Sequence, residues 1–414
     1  MIRRLLAAAT VGVVALGTAL PSFGQTTLDF SSWQFEDPGT KDWLAEVITG
    51  FEAANPDIKI NKVYVPFADY LTQMTVRFAS GRPPAVIQAS EGTFAAYAQE
   101  GWFAGLDDRI AGSDVATDWA GAQSNLLWDG ESRGVLMANN ALMLFYNEKL
   151  IADAGVAVPT NFEEFQAAVA AMTNPDGGVY GLSAVTTEHP TVMEDIHRYM
   201  AFGNAEATKD GAYNLTSPEV VAAVETYRKV VGKNAPLGNN SAVARQLFVD
   251  GKTAFLIDGP WVWSFLDKAT PEMRPNLKMV EIPWGPQLSP GGITYHIAEG
   301  LDEATADAAW KFIQFAIQPE YQRTYLIMTG QPSGRASSVL TEADNAEFPH
   351  LAVIGAAAAK GVPFFPADQA VRAGFAEYTA IMRSAALRVI STDDPVETIL
   401  ADAQAELERA IPLK

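Results

Sequence analysis

The alternation in residues 28–89 constrains the fold most. Leu28-Asp-Phe-Ser-Ser32 reads as a short strand that stops at Trp33. Trp43, Leu44, Val47, Ile48 and Phe51 then fall on one face at helical spacing, and Asn55-Pro56 ends that helix. Ile58–Ile60 and Val63–Val65 are strand-like, Tyr70, Leu71, Met74 and Phe78 form a second helical stripe up to Gly81, and Ala85–Ala89 is again a strand. Strands separated by amphipathic helices predict a mainly parallel sheet with helices against its faces.

The pattern resumes further on. Ala141–Tyr146 reads as a buried strand, and Thr160-Asn-Phe-Glu163 as a capping box opening a helix to about Met172. Ser217-Pro-Glu caps another, running to Gly232. Thr253–Ile257 is a strand, and helices follow around 303–317, 319–329, 368–390 and 395–410, with Trp310, Ile313 and Ile317 on an apolar stripe. No repeat or low-complexity linker divides the 414 residues. Two interleaved α/β lobes account for this order better than two consecutive domains.

The first residues predict export. Arg3-Arg4 precedes an uncharged apolar run from Leu5 to Leu20, and the small residues Ser22 and Gly24 lie three and one before a cut ahead of Gln25. This is the pattern of a cleaved secretory signal over 1–24, with a run short of the ~20 residues of a spanning helix. The absence of cysteine excludes disulfides, thiol nucleophiles and a lipidated cysteine anchor. A freely diffusing, monomeric protein of a Gram-negative periplasm is expected, not embedded in the membrane. The formal charge of −20 becomes more negative still without the two N-terminal arginines. That argues against nucleic acid, which needs a basic footprint.

Catalytic and metal motifs fail on inspection. Gly251-Lys-Thr253 resembles the end of a phosphate loop, but Gln246 stands where that loop needs glycine. His189, His197, His296 and His350 are too scattered for a metal site, and acid pairs such as Asp107-Asp108 suit solvated helix starts. No cofactor and no catalytic residue are expected.

What survives is aromatic. Of nine tryptophans, Trp33, Trp128, Trp261, Trp263 and Trp284 lie beside turns or strand ends. Ligands of open α/β sheets bind outside the carboxyl ends of strands, where Trp33 and Trp261 fall. An indole face stacks on the axial C–H groups of a sugar ring, and its hydroxyls then need polar partners. Glu36, Asp37, Gln88, Glu91, Asn139, Asn140, Glu188 and Asp258 are the nearby carboxylates and amides. Trp261 and Trp263 cannot share a helix face, since two residues turn it by about 200°.

Six segments in order carry a resemblance: "GFEAANPDIKI" (50–60), "ASGRPPAVIQA" (79–89), "YAQEGWFAGLDD" (97–108), "LMLFYNEKLIADAGVAVPTNFEEF" (142–165), "FVDGKTAFLIDGPWVWSFL" (248–266) and "AAWKFIQFAIQPEYQRTYLIMTGQPSGR" (308–335). The chain resembles the family 1 extracellular solute-binding proteins of bacterial ABC importers. Ala85 and Phe162 replace the aspartate and tryptophan usual in that family's pattern. The resemblance implies a type II-like periplasmic-binding-protein fold, with a ligand cleft between two lobes. The lobes would comprise 25–143 plus 293–335, and 144–292 plus 336–414, with crossings near Met143–Tyr146, Gln287–Ile293 and Gly334–Ser338.

It also implies a ligand wall. Trp33, Ser90, Glu91, Asn139 and Asn140 would line it from the first lobe and Trp261 from the second, with Glu36 and Asp258 joining them as carboxylates near the tryptophans. Glu188, His189, Trp284, Gly291, Gly292 and Arg335 would contribute from other loops, the glycines through bare backbone N–H groups and Arg335 either to an acidic sugar or to an interlobe ion pair. The expected partners are a carbohydrate, a membrane permease and its ATPase. A periplasmic glycan hydrolase or lyase, and a quaternary-amine receptor with an aromatic cage, would use the same aromatics.

Overall fold

The structure is a computed structural model and describes residues 25–363 and 365–413. The expected secretory signal lies outside the described residues. Two sheets organise the chain. The first has five strands, in the order Ile58–Tyr64, Thr26–Ser32, Val86–Ser90, Ile293–Ile297, Val135–Ala138. The second has four, in the order Leu277–Glu281, Met143–Asn147, Thr253–Asp258, Tyr180–Ser183.

The mainly parallel sheets of the sequence reading prove to be mixed. Thr26–Ser32 pairs in parallel with both Ile58–Tyr64 and Val86–Ser90, as the early alternation requires. Ile293–Ile297, returning from the other half, runs antiparallel to Val86–Ser90 and to Val135–Ala138. In the second sheet Met143–Asn147 is antiparallel to both neighbours, and only Tyr180–Ser183 pairs in parallel with Thr253–Asp258. A strand entering from the opposite half needs no crossover helix, so it is free to run either way.

Side-chain alternation builds the cores. Leu144 enters a cluster with Phe165, Phe255 and Tyr378, whereas Met143 and Phe145 face a second cluster with Val262, Leu277 and Ile354 on the other side of that sheet. Helices therefore cover both faces, which strands apolar on both sides demand. The first sheet packs against Thr40–Ala54, whose Trp43, Leu44, Val47, Ile48 and Phe51 are all buried as the spacing predicts.

Three local readings shift. Asn161, not Thr160, caps the helix Phe162–Met172, accepting from the Glu164 amide, while the Glu164 carboxylate reaches back to Thr160. The strand expected from Ala141 begins at Met143. The expected 368–390 helix is two, Gln369–Ala373 and Phe375–Ser391, broken at Gly374, where a Cβ would meet Ile411 at 2.9 Å.

The chain passes between the sheets three times: between Ala138 and Met143, between Ser289 and Ile293, and after Arg335, on the way to the helix Pro349–Lys360 that packs on Leu277–Glu281. The second and third passes press on the strand Val135–Ala138. A Cβ on Gly292 would lie 2.5 Å from the Ala138 carbonyl oxygen, and one on Gly334 2.0 Å from that of Leu136. Only glycine permits either approach.

Candidate functional site

A cavity of about 430 Å³ lies between the two sheets, within the range of about 300–1,000 Å³ usual for small-molecule sites. Strand ends supply its walls. Thr26–Ser32 leads into Trp33 and Gln34, Ile58–Tyr64 into Tyr64 and Phe67, Val86–Ser90 ends on Ser90, and Thr253–Asp258 leads into Trp261. The strands carry these residues to the site because their carboxyl ends point at it.

Each aromatic wall is held by a stated contact. Trp33 is buried, edge-on to Tyr70 at 4.9 Å and to Phe67 at 5.4 Å between ring centroids. Trp261 folds back over Gly259, where any Cβ would lie 2.2 Å from the indole. Gly259 is therefore a seat for the ring as well as a turn residue. The Trp261 Nε1–H is buried without a hydrogen-bond acceptor. Trp263 points away, stacked on His350 at 3.8 Å, with the Arg274 guanidinium 4.7 Å from its ring. The indoles diverge, as the helical rotation requires.

The polar groups are equally specific. Arg245 donates twice to Asp258, at 2.7 and 3.3 Å, and its guanidinium lies 5.8 Å from the Trp261 ring. His189 caps the helix Pro190–Phe202, its Nδ1 accepting the Thr191 N–H at 3.2 Å, so Nε2 carries the ring proton. Burial, aided by the Arg245 charge, lowers its pKa to about 4 and keeps it neutral. Asn140 is fully buried, with Nδ2 donating to the Gly291 carbonyl at 3.4 Å and Oδ1 unpartnered. Arg198 donates to the Ile257 carbonyl at 2.9 Å and pairs with Asp195 at 2.8 Å.

Of the sequence-derived candidates, Trp33, Asp37, Ser90, Asn140, His189, Asp258, Trp261, Gly291 and Gly292 line the cavity. The others stand elsewhere. Trp284 is a core residue, 4.8 Å from Phe165 and 6.0 Å from Phe202, because its loop returns into the second-sheet core. Arg335 neither reaches the cavity nor bridges the halves. It lies 2.7 Å from Asp114 and 3.1 Å from Asp118, donates to the Ile317 carbonyl and sits 5.0 Å from the Trp119 ring, all beside the first sheet. Glu36 pairs with Lys41, and Glu188 with Arg383, at the surface. Asn139 donates to the Ala358 carbonyl. Glu91 accepts from Asn125 and from the Gly292 N–H at 3.0 Å. The Gly291 N–H is likewise taken by Ser289 at 3.1 Å, so the two glycine amides are not free for a ligand.

Phe67, Glu194, Arg245, Phe365 and Phe375 line the cavity and were not foreseen. Phe67 carried a signal, standing just beyond a strand end. Glu194 and Arg245 are acid and base within helices, where spacing alone implies solvent.

Two α/β halves joined by three passes around a mixed aromatic and polar cavity define a two-lobed ligand-binding protein. The chain belongs to the bacterial extracellular solute-binding protein family, whose profile matches residues 37–323. It is 26% identical to a binding protein of Brucella abortus over 299 residues, covering 69% of this chain and 71% of the relative. It is 24% identical to the diacetylchitobiose binding protein DasA of Streptomyces coelicolor, covering 70% and 69%. Among solved structures, maltose-bound MalE3 of T. maritima superposes with a TM-score of 0.82 at 18% identity, covering 93% of this chain and 99% of that one.

Proposed function

We propose that this protein is the periplasmic receptor of an ABC importer for a carbohydrate: a mono- or oligosaccharide, a sugar derivative or a polyol. The carrying observation is the cavity itself, with Trp33 and Trp261 on walls from different sheets and hydrogen-bonding groups between them. The ligand stacks on the indoles, and buried polar groups read its hydroxyls. Relatives named for diacetylchitobiose and galactooligosaccharide, and a similar structure solved with maltose, support the same class.

Capture proceeds by hinged closure. One lobe comprises residues 25–143 and 293–335, the other 144–292 and 336–414. Ligand binds one wall and then the other, and contacts made only when both engage stabilise the closed form. A permease with its ATPase receives that form. The protein acts as a monomer, exported after removal of 1–24, and turns over no substrate. Among the described residues no helix is long and apolar enough to cross a membrane.

A thermal-shift screen of the mature protein against sugars and polyols tests this. Ligand at a hundred times its Kd stabilises the native state by about 2.7 kcal/mol, a rise that Trp261→Ala abolishes. The ligand is recovered intact. Conversion of a sugar at enzyme-like rates would overturn the receptor reading.

A further inference from the structure

The charges around the cavity do not balance among themselves. Among the described residues five charged side chains line it: Asp37, Glu194, Asp258, Arg198 and Arg245. Both cations are engaged. Arg245 is doubly bonded to Asp258, and Arg198 is paired with Asp195 and bonded to the Ile257 carbonyl. Neither the Asp37 carboxylate nor that of Glu194 forms a hydrogen bond or ion pair with a protein group. Lys268, the other cation near Asp37, sits 4.6 Å over the Phe265 ring.

A second observation points the same way. Three buried amides on the wall, Gln34, Asn140 and Gln331, each keep a side-chain oxygen without a donor. Two donors on the wall, the Trp261 Nε1–H and the Arg198 Nε–H, also lack a partner, so with the Asp37 and Glu194 carboxylates the open capacity of these groups is weighted towards acceptors.

Resting on the carbohydrate reading above, we propose that the ligand is a basic sugar, its ammonium group held by Asp37 and Glu194 and its hydroxyls read by the amides. A half-buried carboxylate without a partner still carries a desolvation cost, and a hydroxyl donor leaves the charge in place where an ammonium neutralises it. Burial raises the pKa of both acids, Glu194 to about 7, as expected of anions awaiting a counter-charge. With Arg198 held by Asp195 and Arg245 by Asp258, Asp37 and Glu194 are the acids on the wall left to receive a ligand's ammonium group. A uronate or sulfonated sugar adds to the imbalance, and Arg335, the residue that could have received one, is fastened to Asp114 and Asp118.

Calorimetric titration at pH 7 with sugars matched in shape and differing in charge tests this. The set pairs glucosamine oligosaccharides with their N-acetylated forms and with uronate oligosaccharides, and includes neutral maltodextrins and polyols. The amine is expected to bind at least tenfold more tightly than its neutral counterpart, and the uronate more weakly than either. Asp37→Asn and Glu194→Gln, checked for native melting, are each expected to reduce the amine preference over the neutral form about tenfold. Neutral or uronate sugars binding as tightly as the amine would overturn the charge assignment and leave the receptor reading standing. So would a preference that survives in the double variant. Failure of every charge class to bind would overturn both.

Discussion

At the residue scale, the two tryptophans assigned by sequence to one wall have different work. Trp284 is packed among Phe162, Phe165 and Phe202, so Trp284→Ala is expected to cost about 3–5 kcal/mol in urea unfolding. Trp261 borders the cavity, and its replacement should remove ligand binding with a much smaller loss of stability. Equal losses in both variants would sink that division. Glu194 gives a pH signature. Its folded pKa, about 7, lies above the ordinary 4.5, so its contribution to stability is full below pH 4.5 and is lost as pH rises through 7. Ligand-free wild type should therefore match Glu194→Gln near pH 4.5 and melt below it at pH 8. Arg198, Asp195, Asp258 and Arg245 face this carboxyl and remain in both proteins, as do the histidines with lowered pKa. A flat difference would place Glu194 in solvent. Sequence located Trp33 and Trp261 because strand ends are visible in it. It misplaced Trp284 and Arg335 because proximity to a turn does not say which way a loop folds back.

At the element scale, the helices were legible wherever one apolar stripe met one core, as in Thr40–Ala54 and Glu303–Ala316. The sheets were not fully so. Periodicity identifies a strand but carries no direction, and the antiparallel arrivals of Ile293–Ile297 and Met143–Asn147 depend on contacts over 100 residues away in the chain. The strand Val135–Ala138 serves as a rail against which two of the passes lie. Adding one methyl at Gly334 drives it into the Leu136 carbonyl. Gly334→Ala is expected to lose about 1–3 kcal/mol and to displace the last pass. Unchanged urea unfolding would show that this contact yields easily.

At the scale of the whole molecule, contacts already link the halves on more than one side of the cavity. The Ser264 hydroxyl donates to the Pro38 carbonyl at 3.1 Å, Phe67 approaches His189 at 6.1 Å, and the helix Glu91–Gln99 packs against Gln369–Ala373. Small-angle scattering should show the radius of gyration decreasing when a saturating sugar is added, and a ligand-independent value would count against hinged closure. The placement of the indoles has a practical consequence. Trp33 and Trp261 line opposing walls, and the Trp261 Nε1–H is buried without an acceptor. An indole's emission colour follows the polarity around it, so a guest seated against the Trp261 ring changes the light the protein emits. The receptor thus carries its own optical gauge of occupancy, readable without any attached dye.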